Sequence, residues 1–287
     1  MILLVDGDLL VFRSLMTTEK EILWEPDIWT LHSNSEEGIT NVRHFMDNAI
    51  SLFDPTRVVV CFSGSRNFRK DILPSYKGNR VGLRKPLGYK AQVEAIMSDP
   101  QSTTSRGTRC SALRMEGIEA DDAIGILATK PANLGKCIIV SQDKDFKQIP
   151  ETPLWRGETD ENGPILLRHT QEEADRWHLL QTLAGDVTDG YSGCPGIGME
   201  TGKALLEKGL KYRKKLKVIS KGKRQGMAVE EWEQVASGSP WETVLSCYEK
   251  AGRSEEEALV MARVAKILRH SDWDYEKKEP KLWVPSY

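Results

Sequence analysis

The stretch that decides the fold is Ile2-Leu3-Leu4-Val5-Asp6-Gly7-Asp8, an apolar run that ends in acidic residues. Four consecutive aliphatic side chains are typical of a strand buried on both faces of a parallel sheet. Two further short apolar runs, Arg57–Phe62 and Cys137–Val140, lie between stretches with helical patterns. Strands that alternate with helices predict an α/β fold with a mostly parallel central sheet and helices on both faces.

The remaining pattern is mainly helical in the second half of the chain. Helices are predicted over Glu37–Phe53 and from near Glu119, whose acidic neighbours would then lie in the first turn, where the helix dipole favours negative charge. Ser254-Glu255-Glu256-Glu257 is typical of a capping box and predicts a helix that runs to about His270. Ser98–Ser111 is polar and is predicted to be a loop.

Acidic residues occur at four separated places, two of them directly after predicted strands. They are Asp6; Glu119, Asp121 and Asp122; Asp143 and Asp145; and Asp186 and Asp189. Ligands of open α/β sheets bind at the carboxyl ends of the strands, so we expect these acids to converge there. Two carboxylates about 5 Å apart repel by roughly 3 kcal/mol at an effective dielectric of about 20. Hard divalent cations with oxygen ligands, such as Mg²⁺, remove that repulsion, whereas each acid taken alone is typical of a helix cap or a solvated loop.

Composition excludes several classes of protein. The chain has 287 residues, 39% of them hydrophobic, which is enough for one large or two smaller domains. It has no apolar run long enough to cross a membrane, and no basic region precedes the first predicted strand, so neither a membrane partner nor a signal peptide is expected. Its five cysteines are scattered and never form CxxC pairs, which indicates reduced thiols in the cytoplasm and argues against a zinc site.

Positive charge is concentrated in two blocks, although the formal net charge is only −2. Arg66–Lys90 contains eight basic residues and the single acid Asp71, and Thr201–Arg224 contains ten basic residues and the single acid Glu207. Acid clusters beside basic blocks are typical of proteins that hold a polyanion while cations act on its backbone. Solvated helix faces are the alternative interpretation of each block.

A second motif is Gly193-Cys194-Pro195-Gly196-Ile197-Gly198-Met199-Glu200-Thr201-Gly202-Lys203. This glycine-rich turn leads into an amphipathic segment and predicts two helices joined by a tight hairpin. Glycines let a backbone approach phosphates, and the amides of a helix N-terminus can bind them. An ordinary turn remains the alternative if the motif is taken alone.

These motifs, taken in order, resemble those of the 5′-nuclease family, which includes flap endonucleases, and most of all the compact exonucleases of short-tailed bacteriophages. The matching segments are Val5-Asp6-Gly7, Asn67-Phe68-Arg69-Lys70, Tyr76-Lys77-Gly78-Asn79-Arg80, Glu119-Ala120-Asp121-Asp122, Ser141-Gln142-Asp143-Lys144-Asp145-Phe146, Gly185-Asp186 to Asp189, and the glycine hairpin. The resemblance extends from residue 1 to about residue 206, and the final eighty or so residues match nothing specific.

The resemblance implies a PIN-like 5′-nuclease core over residues 1–184, with a basic arch or clamp at about 64–112. It implies a helical region over 185–287 with a DNA-binding helix-hairpin-helix motif at about 185–206. It also implies two Mg²⁺ ions, for which Mn²⁺ can substitute. The first ion corresponds to Asp6, Glu119, Asp121 and Asp122, and the second to Asp143, Asp145, Asp186 and Asp189.

The family pattern further assigns residues that touch DNA. Lys77 and Arg80 correspond to catalytic residues that reach the scissile phosphate, Arg69 and Lys70 to further phosphate contacts, and Tyr76 to a residue that stacks on an unpaired base. The hairpin residues Gly193, Gly196, Gly198, Thr201 and Lys203 correspond to those that hold the duplex backbone, with K⁺ bound at the hairpin.

The implied activity is 5′–3′ exonuclease action on duplex DNA in the cytoplasm, with flap endonuclease activity and RNA-primer removal during DNA replication. The implied partners are duplex DNA with 5′ ends or flaps, RNA–DNA hybrids and replication proteins, and the expected state is a monomer. Two alternatives stay open, namely an RNA-processing PIN-type nuclease and a non-catalytic, structure-specific DNA-binding protein.

One position departs from the family pattern. Family members carry an aspartate after the strand that corresponds to Arg57–Phe62, and this chain has Gly64 there. The sequence therefore predicts a first metal site that lacks one carboxylate. It also predicts that Gly64→Asp would lower the Mg²⁺ concentration needed for half-maximal activity.

Overall fold

The structure, a computed structural model, describes residues 1–221 and 227–285. Its strands are β1 (Ile2–Asp6), β2 (Glu19–Glu25), β3 (Ile28–Ser33), β4 (Arg57–Ser63), β5 (Arg109–Met115), β6 (Cys137–Val140), β7 (Leu154–Asp160), β8 (Gly163–Leu167), β9 (Leu210–Val218), β10 (Ala228–Ala236), β11 (Trp273–Asp274) and β12 (Glu279–Pro280). Its α-helices are α1 (Gly7–Met16), α2 (Ser35–Phe53), α3 (Arg69–Ile72), α4 (Tyr89–Ser98), α5 (Ala120–Ala128), α6 (Gln171–Ala184), α7 (Met199–Lys208), α8 (Pro240–Lys250) and α9 (Glu255–Ala265). Short 3₁₀ helices occur at Gly78–Arg80, Pro100–Thr103, Pro131–Asn133, Lys144–Gln148 and His270–Asp272.

The central sheet has the strand order β5-β4-β1-β6-β7-β8. Strands β4 and β6 both pair with β1 in parallel, and β5 and β7 extend the sheet in parallel on either side. Only β8 is antiparallel, because it returns directly from β7. The mostly parallel α/β prediction is confirmed, and the carboxyl ends of β1, β4 and β6 share one edge.

The two faces of β1 bury different side chains. Leu3 and Val5 belong to a core with residues of α1, α2 and α4, whereas the buried Leu4 points to the opposite face. Helix α5 packs against β1, β4 and β5. Helices therefore cover both faces of the sheet, and the predicted double-sided burial of this strand is confirmed.

The chain divides into two compact units. The first comprises residues 1–68, 82–174 and 267–281, and contains the central sheet. The second comprises residues 69–81, 175–266 and the chain from residue 282 onward. The predicted boundary at 184/185 divides the chain once, whereas residues 69–81 and 175–184 lie in the second unit and residues 267–281 in the first.

The second unit combines helices with an antiparallel pair. Residues of α6, α7, α8 and α9 build its core around Leu183, Trp241 and Tyr248. Strands β9 and β10 pair over their whole length, so the prediction of a helical region is wrong for residues 210–218 and 228–236. The pattern of basic residues in β9 concealed this strand, because it lacks a regular apolar alternation.

Other boundaries differ in detail. Ser254 forms the predicted capping box with Glu257, but α9 ends at Ala265 rather than near His270. The predicted loop Ser98–Ser111 contains a 3₁₀ helix and the start of β5, a polar edge strand. Across the described residues, no helix is both long and apolar enough to span a bilayer.

Candidate active site

Asp6 lies at the carboxyl end of β1, where it also caps α1. Its carboxylate accepts hydrogen bonds from the Leu9 amide at 3.1 Å and from the Ser141 hydroxyl at 2.9 Å. Ser141 directly follows β6, the strand next to β1. The parallel sheet therefore holds Asp6 between a helix N-terminus and the loop after β6.

The electrostatic surroundings of Asp6 disfavour its charged form. Burial is the main cause that raises its pKa from 3.8 to about 7. The charges of Asp8 and Asp143 raise this pKa further, whereas the bonds from Leu9 and Ser141 lower it. Three acids thus share one edge of the sheet, and a cation placed there would favour the ionised form of Asp6.

Asp143 and Asp145 lie in the loop that follows β6. Asp143 caps the 3₁₀ helix Lys144–Gln148 and accepts a hydrogen bond from the Asp145 amide at 2.8 Å. The Asp143 amide donates to the Ser141 hydroxyl at 3.1 Å. Ser141 therefore links the backbone that carries Asp143 to the carboxylate of Asp6, and the pair predicted from sequence lies on one loop.

Glu119, Asp121 and Asp122 occupy the predicted first turn, at the start of α5. Asp122 is completely buried, and its two oxygens accept the amides of Glu119 at 3.1 Å and Leu268 at 3.0 Å. Those bonds cap α5 and fix the returning segment 267–281 of the same unit. Asp122 therefore has a structural role. Glu119 and Asp121, both only partly buried, are the better candidates for metal ligands.

Sequence reasoning missed Asp8. One of its oxygens accepts the Ser63 amide at 2.9 Å, and the other accepts the Tyr89 hydroxyl at 2.8 Å. Asp8 thereby places a carboxylate at the end of β4, the place where the family pattern has an aspartate and this chain has Gly64. The available sequence signal was its position two residues after Asp6, in the first turn of a helix.

The structure overturns the prediction made for Gly64. A Cβ atom at Gly64 would lie 2.6 Å from the Met115 carbonyl oxygen and 3.0 Å from the Glu116 Cα, which are both backbone atoms. The Gly64 amide also donates to the Ile118 carbonyl at 2.9 Å. An aspartate would force the two strand ends apart, so Gly64→Asp is expected to damage the site and not to complete it.

The acids do not form a closed cage. Within residues 1–221 and 227–285, no group of three or more Asp, Glu, His or Cys side chains lies close enough together to hold a metal ion. Mg²⁺ does not require such a cage, because it is usually bound through one or two carboxylates and keeps several waters. The oxygen-only donors around Asp6 and its raised pKa therefore fit a hydrated Mg²⁺ ion.

Asp186 and Asp189 belong to the second unit. Asp186 is nearly buried, and one of its oxygens accepts the amides of Thr188 at 2.7 Å and Asp189 at 3.3 Å. It therefore holds a tight turn directly after α6. Asp189 has partners of opposite charge, since Arg80 lies 2.7 Å and Lys77 3.6 Å from the same oxygen.

Two residues predicted to touch DNA are instead internal. The Tyr76 side chain is only 2% exposed, and its hydroxyl donates to Asp189 at 2.8 Å, so it is not available to stack on a base. Arg69 is likewise 2% exposed, and its guanidinium donates to the carbonyls of Val264 and Lys266. Both predictions fail because burial, not residue type, decides availability; Lys70, the neighbour of Arg69, is exposed.

The glycines of the hairpin are of two kinds, those packed against other backbone and those with free space around them. A Cβ at Gly193 would lie 2.3 Å from the Gly185 amide nitrogen, so Gly193 serves the close packing of two backbone segments. Gly196 and Gly198 are exposed, and a Cβ at either would meet no atom within 4 Å. Gly198 is the residue before α7, and the amides of this turn are therefore placed where a phosphate could reach them.

Thr201 and Lys203 follow on the first turns of α7, and both are exposed. Lys203 forms only a long, exposed ion pair with Glu207 at 3.9 Å, a contact that contributes little. The predicted hairpin residues other than Gly193 are therefore accessible to a ligand.

The second basic block is largely neutralised within its own unit. Four of its cations on β9 pair with acids of β10, and Lys211 pairs with Glu242 of α8 at 2.7 Å. These exposed ion pairs lower the net positive charge of β9, and the interpretation of the block as a polyanion-binding surface stays a prediction. Lys223 and Arg224, at the end of the block, lie outside the described residues.

The chain is similar to known proteins over part or nearly all of its length. The profile of the family described as "5′-3′ exonuclease, N-terminal resolvase-like domain" matches residues 1–172. An exodeoxyribonuclease of Enterobacteria phage T3 and an exonuclease of Escherichia phage T7 are each 34% identical, over 99% of this chain and 93% of theirs. A flap endonuclease of Vibrio parahaemolyticus is 30% identical over 62% of this chain and 74% of its own.

Proposed function

The chain belongs to the 5′–3′ exonuclease family, and we propose that it hydrolyses phosphodiester bonds from the 5′ ends of duplex DNA in a reaction that requires divalent cations. The observation that carries this proposal is the environment of Asp6. The half-buried Asp6 carboxylate beside Asp8 and Asp143, at the carboxyl edge of a parallel sheet, has a pKa raised to about 7. A divalent cation is the partner that would stabilise its charged form.

The proposed cofactor is Mg²⁺, as two ions, with Mn²⁺ as a substitute. Such ions stabilise the charge that develops on a phosphodiester during hydrolysis. Asp6 would hold the first ion together with Glu119 and Asp121. The Leu9 amide and the Ser141 hydroxyl fix the Asp6 carboxylate, and Glu119 and Asp121 would bind the same ion through its water molecules or after they move closer.

The second ion is proposed to use the loop after β6. Asp143 is fixed there by its cap to the Asp145 amide and by its own amide on Ser141. Asp186 and Asp189, predicted as further ligands, belong to the second unit and already have other partners. Asp186 holds a turn and Asp189 already faces two cations.

The DNA contacts proposed on the second unit are the accessible members of the predicted set. Lys77 and Arg80 are proposed to reach the scissile phosphate, and their shared partner Asp189 positions them beside each other. Lys70 would add a phosphate contact. The turn at Gly196 and Gly198, with Thr201 and Lys203 of α7, would hold the duplex backbone, with K⁺ bound at the same turn.

Flap cleavage is the second candidate activity, because a Vibrio relative is named a flap endonuclease. RNA-primer removal, action on RNA–DNA hybrids, a monomeric state and contact with replication proteins complete the proposal. Each follows from the family resemblance alone.

The test uses duplex DNA labelled at a 5′ end, either blunt or carrying a 5′ flap, with Mg²⁺ or EDTA. Mononucleotides released from the blunt end in Mg²⁺ alone support the exonuclease. Release of the intact flap as one fragment makes flap cleavage the main activity. Tight binding without cleavage of either substrate overturns the proposal in favour of a non-catalytic DNA-binding protein. Asp143→Ala is the matched inactive variant.

A further inference from the structure

A cavity of about 510 Å³ opens beside Asp6, in the first unit. Its walls come from α1, α2 and the segments that follow β6 and begin β7. Asp6 and Ser141 are among its lining residues, so the cavity reaches the acidic edge of the sheet. Its volume lies within the range of about 300–1,000 Å³ that is typical of small-molecule sites.

One wall of the cavity is apolar and rigid. Leu9 and Leu10 of α1 face it together with Phe45 of α2. The Phe45 ring stacks on Trp155, with centroids 5.7 Å apart and planes at 24°. Trp155 is fully buried and its indole N–H donates to the Glu158 carbonyl at 2.8 Å, which fixes the pair in place. Such a wall suits a flat aromatic base.

The two arginines that line the cavity differ in the hydrogen bonds they make within the protein. Arg156 donates to the Gln142 carbonyl at 3.1 Å and is partly withdrawn from a ligand. Arg13 of α1 is exposed, and its guanidinium has no hydrogen bond or ion pair with any described residue. Glu37 and Asp6 also line the cavity, so an anionic group would be accepted near Arg13 or near the buried Arg156 Nε, which has no hydrogen-bond partner among the described residues.

The spacing along α1 separates these two ends. Arg13 lies seven positions after Asp6, which corresponds to a rise of about 10 Å along the helix axis. Side chains lean toward the N-terminus of a helix, so Arg13 leans back over the cavity toward Asp6. The cavity therefore offers Arg13 to a terminal phosphate and the apolar wall at Leu10 and Phe45 to a base, and Asp6 marks the acidic edge of the sheet.

We propose that this cavity binds a deoxynucleotide that carries a 5′-phosphate, either as the end of a DNA strand or as the released mononucleotide. The phosphate lies on Arg13, the base lies against Leu10 and Phe45, and the 3′ side faces Asp6. The inference rests on the proposed exonuclease function. It adds a site for the nucleotide on the 5′ side of the bond that is cut.

The first test is calorimetric titration of the full chain in EDTA, where no turnover occurs, with deoxyadenosine 5′-monophosphate. Arg13→Gln should weaken its binding about tenfold, as expected for the loss of one charged hydrogen bond. Arg13→Lys should retain most of the affinity, and deoxyadenosine without phosphate should bind the wild type and Arg13→Gln equally. The control Arg109→Gln removes an exposed arginine that does not line the cavity.

The inference is overturned if deoxyadenosine and its 5′-monophosphate bind the wild type equally, or if Arg13→Gln changes nothing. It is also overturned if Arg109→Gln has the same effect as Arg13→Gln, because that would indicate general charge attraction.

A second arm compares blunt duplexes with a 5′-phosphate or a 5′-hydroxyl. If the strand end occupies the cavity, Arg13→Gln should raise KM for the duplex with a 5′-phosphate and should not change KM for the duplex with a 5′-hydroxyl. An unchanged KM, with the titration effect intact, assigns the cavity to the released mononucleotide. Failure of the proposed function has a different signature, since the wild type would then cut neither duplex while the titration in EDTA is unaffected.

Discussion

Replacement of Asp6 by asparagine should change how the stability of the metal-free protein depends on pH. Asparagine has nearly the same shape as a protonated aspartic acid but does not titrate. In the wild type the pKa of Asp6 is about 7 in the folded state, against 3.8 for an ordinary aspartate. The folded protein therefore binds the Asp6 proton more tightly than the unfolded chain does.

The sign and size follow from this difference. The contribution of Asp6 to stability is fully present below about pH 4 and is lost as the pH rises through 7. Each pH unit well inside that window costs about 1.4 kcal/mol and less near pH 7, so about 2 kcal/mol should be lost between pH 5 and pH 7. The full difference corresponds to at most about 4 kcal/mol. Asp6→Asn should lack this loss.

The assay is urea unfolding in EDTA at pH 5, 6, 7 and 8, for the wild type and Asp6→Asn. The difference between the two free energies of unfolding isolates Asp6, because the other titrating groups cancel. Saturating Mg²⁺ should flatten the wild-type curve, since a bound cation keeps Asp6 ionised. A constant difference across the four pH values in EDTA would refute the reasoning, because Asp6 would then be an ordinary exposed acid.

Three further comparisons test the remaining assignments. Gly64→Ala should destabilise the protein by more than about 1 kcal/mol in urea unfolding, whereas Gly107→Ala, which meets no atom within 4 Å, should not; equal effects would contradict the clash. Asp8→Asn should raise the Mg²⁺ concentration for half-maximal cleavage about tenfold if its carboxylate stands in for the missing acid, and an unchanged Mg²⁺ requirement would reject that role. Arg69→Ala should cost about 3 kcal/mol of stability, because it leaves the carbonyls of a buried segment without donors. Lys70→Ala should instead leave stability unchanged and lower the slope of DNA affinity against salt by about one, and the reverse pattern would show that the two roles are exchanged.

The sheet and its acidic edge were predictable because the signals are local. Ile2–Val5 and Cys137–Val140 are too short and too apolar for anything but buried strands, and the acids follow them immediately. Parallel pairing then brings Asp6 and the loop of Asp143 to one edge whatever the rest of the chain does. The capping box at Ser254 was readable for the same reason.

The failures concern side chains whose role depends on distant partners. Arg69 and Tyr76 have the chemistry of DNA contacts, but segments about 110 to 200 residues away bury them. The acids that neutralise β9 come from β10 and α8, so the sequence showed the cations without their partners. Gly64 was interpreted as a lost ligand because the backbone that packs against it was not visible.

Asp8 illustrates how a departure from a family pattern can be compensated. Its carboxylate holds the Ser63 amide at the end of the strand after which the family aspartate is expected. The Asp8→Asn variant tests whether a helix residue carries the charge that the strand end lacks.

The account is tested most directly by the binding of Mn²⁺, followed by electron paramagnetic resonance, in samples whose cleavage of a 5′-labelled blunt duplex is also measured. Asp143→Asn keeps the side-chain shape, and Glu161→Gln removes an exposed acid elsewhere in the same unit. We expect Asp143→Asn to weaken Mn²⁺ binding and to slow cleavage together, by at least about tenfold each, and Glu161→Gln to change neither. Full Mn²⁺ affinity in Asp143→Asn, or cleavage by the wild type that persists in EDTA, would contradict the account.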